Sequence, residues 1–124
     1  MKVVLDTNVI IAAFATRGLC AEVFEVCLTK CEIILSEHIL HEVAQKLVTK
    51  IHLPKPIVQE ILQFLREHSQ IVKPEAIEIS ILKDQKDLPV IGTAVRSNAQ
   101  LLITGDKELL NLGKFEGVEI LSPR

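Results

Sequence analysis

Tryptophan and tyrosine are absent, and four phenylalanines are the only aromatic residues among 124. Phe14, Phe24 and Phe64 fall in apolar helical contexts, so the chain has little from which to build stacking platforms for nucleic-acid bases. Neither sign of charge dominates, with 14 basic and 16 acidic residues and a formal net charge of −2. No global basic field exists, and a polyanion must be met by a local patch or through metal ions. Cysteines are few and odd in number; Cys20, Cys27 and Cys31 have neither the count of a disulfide framework nor the spacing of a zinc site, and read as reduced structural thiols. The apolar run near the N-terminus is broken by Asp6 and Asn8 and falls far short of the ~20 residues of a membrane span. A cytoplasmic protein with no membrane partner is expected.

With 48% hydrophobic and 24% charged residues, the composition excludes disorder, collagen and disulfide-scaffold classes. The length fits one domain over residues 1–124. Phosphate loops of the G-x-x-x-x-G-K-[ST] type, dinucleotide fingerprints and serine-hydrolase elbows are all missing. His41-Glu42-Val43-Ala44-Gln45 nearly spells a zinc-protease helix, but Gln45 stands where the second histidine must be.

What is present alternates. Residues 2–5 are consecutively apolar and β-branched, which predicts a strand buried on both faces, and 32–35, 70–73, 101–103 and 118–121 predict four more. Helices are expected over 9–15, 20–30, 56–68, 88–98 and 107–112, and after Ser36 as far as Ile51, with Pro54 and Pro56 stopping the chain beyond it. Residues 75–83 are ambiguous between strand and helix. The order predicts an α/β fold, a three-layer α/β/α sandwich around a five-stranded, mainly parallel sheet.

Ligands in such sheets bind at the carboxyl ends of the strands. Asp6 follows the first predicted strand and Asp106 the fourth, Asp87 opens the helix leading into that same fourth strand, and Glu42 lies at the margin of an apolar helix face. Each aspartate alone reads as a helix cap, and Glu42 alone as a solvated side chain. Gathered at one sheet end, they would repel one another unless a cation sits among them, and Mg²⁺ or Mn²⁺ held by carboxylates and water is the ordinary remedy. Lys46 and Lys50 follow Glu42 at helical steps, with Lys55 beyond, and offer either phosphate-binding charge or a plain solvated edge.

Residues 3–9 (Val-Val-Leu-Asp-Thr-Asn-Val), Glu42, 84–94 (Asp-Gln-Lys-Asp-Leu-Pro-Val-Ile-Gly-Thr-Ala) and 102–110 (Leu-Ile-Thr-Gly-Asp-Lys-Glu-Leu-Leu) together resemble the PilT N-terminus (PIN) domain. The likeness is greatest to small toxin components of toxin–antitoxin pairs, the virulence-associated protein C (VapC) group. The resemblance implies a metal-dependent ribonuclease with Asp6, Glu42, Asp87 and Asp106 as its acids. Asp6, Asp87 and Asp106 would be the Mg²⁺ or Mn²⁺ ligands, Glu42 a ligand or water-orienting base, and Asn8 and Thr104 the supporting polar residues. Asp84 is the nearest competitor of Asp87. Gly92 stands where many members have alanine, which reads as a mild departure. The resemblance also implies an RNA substrate, a cognate antitoxin protein and a homodimer or higher homo-oligomer. Two alternatives stay open: a catalytically silent PIN binding module, and a phosphatase using Asp6 as nucleophile. Residues 4–9 are similar to the haloacid dehalogenase motif, although Asn8 replaces its second aspartate.

Overall fold

The computed structural model describes residues 1–16, 18–77 and 85–124, except for the side chain of Lys86. Its elements are β1 (Lys2–Leu5), α1 (Thr7–Ala15), α2 (Leu19–Lys30), β2 (Glu32–Leu35), α3 (Glu37–Thr49), α4 (Lys55–His68), β3 (Ser69–Ile71), α5 (Leu88–Ser97), β4 (Leu101–Ile103), α6 (Lys107–Leu112), β5 (Lys114–Phe115) and β6 (Val118–Leu121). A single 3₁₀ turn, Gln85–Asp87, leads into α5.

The six strands lie in the order β3-β2-β1-β4-β6-β5, parallel throughout except for β5 against β6. Val3, Val4 and Leu5 are successive residues and none retains exposed surface. Side chains alternate faces along a strand, so both faces of β1 must be covered, as the unbroken apolar run predicts. Ile33, Ile34 and Leu35 repeat the pattern in β2. The result is the expected α/β/α sandwich.

The sixth strand is the departure from five. Lys114–Phe115 folds back on Val118 through a two-residue turn at Glu116 and Gly117, both with positive φ, the pattern of a type I′ hairpin. Two residues carry no alternation to read, and Glu-Gly replaces the usual Asn-Gly signal. The third strand begins one residue before its expected start, at Ser69. Residues 75–77 are neither strand nor helix, while the rest of the ambiguous stretch, with Asp84, lies outside the described residues.

Helix boundaries follow their chemistry. The Ser36 hydroxyl accepts the Ile39 amide to open α3, Pro89 sits in the first turn of α5, and Gly113 closes α6 at φ +73°. The Cys27 thiol is buried and pushed up to about 11, first by burial and then by neighbouring Cys31, which leaves it inert as a structural side chain. Among the described residues no helix is long and apolar enough to cross a membrane.

Gly92 is not a mild substitution in this fold. A Cβ built there would stand 2.2 Å from the Glu75 carbonyl oxygen, because residue 75 crosses directly over α5. The Glu75 amide donates to the Gly92 carbonyl at 3.0 Å, and Arg96 Nε meets Glu75 Oε2 at 2.8 Å. That ion pair is half exposed and contributes little. The glycine permits the close approach.

Candidate active site

β1 is flanked by β2 on one side and β4 on the other, so connections diverge there and a crevice opens beyond the strand ends. The ladder runs one rung past both strands: the Asp6 amide donates to the Ile103 carbonyl, and the Thr104 amide to the Leu121 carbonyl, each at 2.9 Å. Asp6 and Thr104 are therefore set by sheet register, not by loop conformation. Thr104 Oγ1 donates to Asp6 Oδ2 at 2.6 Å and accepts the Asp106 amide at 3.0 Å. One hydroxyl thus ties the first acid to the last.

Asp6 is 7% exposed, and its Oδ1 accepts the Thr7 amide at 2.7 Å. Burial raises its pKa above the ordinary carboxylate value; the bonds from Thr104 and Thr7 oppose the shift, and the charges of Glu42 and Asp106 add to it. Replacing the fully buried Thr104 by valine keeps its shape and removes both bonds. A loss of about 1–3 kcal/mol is expected, the cost of a buried polar group left unmade. Urea unfolding of Thr104→Val beside Thr104→Ser, which keeps the hydroxyl, measures it.

The simple capping reading separates the acids. Asp106 does cap α6, its Oδ1 accepting the Glu108 and Leu109 amides at 2.8 and 3.2 Å. Asp87 occupies the cap position of α5 but makes no cap bond with its side chain. Glu42 reaches in from α3, where Thr7 Oγ1 donates to its Oε1 at 3.1 Å. His38 Nε2 lies 3.2 Å from the same oxygen, off the direction of a hydrogen bond.

All four acids line one small cavity of about 210 Å³, together with Thr7, Asn8 and Lys46. Lys46 Nζ donates to Asn8 Oδ1 at 3.2 Å. Among the described residues it forms no ion pair with any of the acids. Lys50, at the exposed end of α3, does not line the cavity, and Lys55 is exposed on α4. Larger cavities of about 740 and 580 Å³ exist elsewhere, but neither gathers carboxylates. Among the described residues, no three His, Cys, Asp or Glu side chains converge closely enough to cage an ion as they lie.

A family model described as the PIN domain matches residues 2–108. The chain belongs to the PIN domain family. Among solved structures, this PIN domain is similar to a chain in the crystal structure of VapBC2 from Rickettsia felis bound to a DNA fragment from their promoter. The TM-score is 0.69 at 16% identity, covering 98% of each chain, which is a likeness of fold. No curated protein matches the chain.

Neither Thr7 nor His38 was picked out from the sequence as part of the site. Thr7 follows Asp6 and opens α1, so its hydroxyl projects from the helix start towards α3. The signal for His38 was its four-residue step from Glu42, which places both on one helix face.

Proposed function

We propose that this PIN domain is a Mg²⁺- or Mn²⁺-dependent endoribonuclease that hydrolyses RNA phosphodiester bonds. The observation that carries the reading is the single 210 Å³ cavity into which α3, the start of α5 and the ends of β1 and β4 bring Glu42, Asp87, Asp6 and Asp106. Its donors are all hard oxygens, and the pKa of Asp6 is raised first by burial, with the charges of Glu42 and Asp106 adding to the shift. Such a set fits an oxygen-preferring cation. Mg²⁺ binds through one or two carboxylates and keeps several waters, so a closed protein cage is not needed.

Asp6, Asp87 and Asp106 would hold the ion. The chemistry it supplies when bound is a water of lowered pKa and neutralisation of charge developing on the phosphoryl oxygens. Thr104 and the Thr7 amide fix both oxygens of Asp6, and Thr7 Oγ1 fixes Glu42, so the acids are oriented before substrate arrives. Glu42 would serve as a further ligand or orient the attacking water. Lys46, held by Asn8 and unpaired with the acids, supplies a cation for a phosphate oxygen. An Asp6 nucleophile is disfavoured, because both its oxygens already accept hydrogen bonds and little of it is exposed.

The likeness to VapBC2 supports a biological setting as the toxin of a toxin–antitoxin pair, checked by a cognate antitoxin protein and acting in the cytoplasm. Assembly as a homodimer or higher homo-oligomer rests on the family resemblance. The test is incubation of labelled RNA with purified protein, with and without Mn²⁺ or Mg²⁺. Cleavage that requires the metal, and stops with EDTA, is expected. Absence of cleavage with either ion across a mixed RNA pool, by folded protein, would favour the silent binding module.

A further inference from the structure

Phosphodiester hydrolysis places negative charge on the attacking and the leaving oxygen, and two-ion sites hold a cation at each, the ions about 3.5–4 Å apart. Ions at that spacing share carboxylates, which offer one oxygen to each. The acids of this cavity are poorly supplied with such oxygens. Asp106 Oδ1 already accepts the Glu108 and Leu109 amides, which uses both its lone pairs. Glu42 Oε1 takes the Thr7 hydroxyl and has His38 Nε2 3.2 Å away. Asp106 and Glu42 are thereby left with one open oxygen apiece, which suits an ion completed by water better than a bridged pair.

Lys46 follows Glu42 by four residues on the same face of α3, a rise of about 6 Å, and lines the same 210 Å³ cavity. Its Nζ is held by Asn8 Oδ1 at 3.2 Å. That acceptor is neutral, so the residue that positions the ammonium does not cancel its charge, as an aspartate at position 8 would. A second divalent cation would have to enter this small space against the lysine's charge. We propose that Lys46 takes the place of a second metal ion: the acids hold a single Mg²⁺ or Mn²⁺, and the Lys46 ammonium meets the charge on the leaving oxygen. The inference rests on the ribonuclease reading and makes the lysine part of the bond-breaking step. As the water oxygen bonds to phosphorus and gives up a proton to solvent, the bond from phosphorus to the leaving oxygen breaks. That oxygen keeps the electron pair and takes a proton from the ammonium, which solvent restores.

Mn²⁺ binding to the full chain is titrated by calorimetry and by electron paramagnetic resonance, and RNA cleavage is followed in the same preparations. The parent is expected to take a single ion per chain, with no signal from an exchange-coupled pair. Lys46→Gln removes the charge and keeps a polar side chain. It should bind Mn²⁺ more tightly than the parent, because the like charge beside the ion is gone. It should nonetheless lower kcat by about 100-fold or more, the scale of one donor aimed at developing charge, with KM changing less. A lysine that served only to brace Asn8 against α3 would not tighten the metal when removed. Lys46→Arg keeps the charge and should retain the parent's Mn²⁺ affinity. Lys50→Gln makes the same change of charge at an exposed position and should alter neither readout. A coupled pair of ions in the parent, or cleavage unchanged in Lys46→Gln, would overturn the proposal. A parent that binds a single ion, gains affinity on Lys46→Gln and cuts no RNA would refute the ribonuclease reading while keeping the single-ion site.

Discussion

Asp6→Asn is expected to lower RNA cleavage by more than about 100-fold, because even outer partners of a metal ligand are worth 10–100-fold. It should also change the pH dependence of stability in the metal-free protein. The folded pKa of Asp6 is raised, so the native state binds this proton more strongly than the unfolded chain. Its contribution to stability is complete below the ordinary value of 3.8 and is lost as pH rises through the folded pKa. Above that point an ionised, buried carboxylate faces Glu42 and Asp106. Asparagine keeps an acceptor for the Thr7 amide and removes the charge. Urea unfolding in EDTA from pH 4 to 7 should therefore find the parent losing stability relative to Asp6→Asn as pH rises. Parallel curves would refute the claim that Asp6 carries this repulsion. Adding Mn²⁺ should stabilise the parent, by about 2.7 kcal/mol at one hundred times its dissociation constant, and the variant less.

The stability cost and the function have one cause. Asp6 lies at the rung where β1 and β4 end together, so backbone register buries a carboxylate beside two others. The sequence made this much legible: unbroken apolar runs mark strands buried on both faces, and acids directly after two of them must lie at one edge of a parallel sheet. Glu42 was legible only through the family pattern, since residue spacing left it between solvent and site. The Thr7 contact to Glu42 depends on the packing of α1 against α3, which a linear pattern does not carry, whereas His38 meets Glu42 by a four-residue step along α3. The short β5 depends on two positive φ angles. Lys46 and Lys50 looked equivalent in sequence, yet one helical turn separates a cation on the cavity wall from one in solvent.

Gly92→Ala is the second large effect, and opposing terms fix its sign. Alanine is favoured over glycine inside a helix by about 1 kcal/mol, and the family pattern makes the change look harmless. Against this, the new Cβ would meet backbone oxygen at 2.2 Å, and backbone cannot swing aside as a long side chain can. Forced overpacking costs about 1–3 kcal/mol, and displacing residue 75 from the Gly92 carbonyl forfeits a hydrogen bond worth about 1 kcal/mol. The net expectation is a loss of about 1–3 kcal/mol by chemical denaturation. Arg96→Ala removes the Glu75 ion pair without the clash and should cost less than about 1 kcal/mol. Gly92→Ala should also weaken Mn²⁺ binding measured by calorimetry, because α5 begins beside Asp87 and a displaced helix shifts that acid from the cavity. A stabilised Gly92→Ala would mean that helix propensity outweighs the contact, and that residue 75 yields without cost.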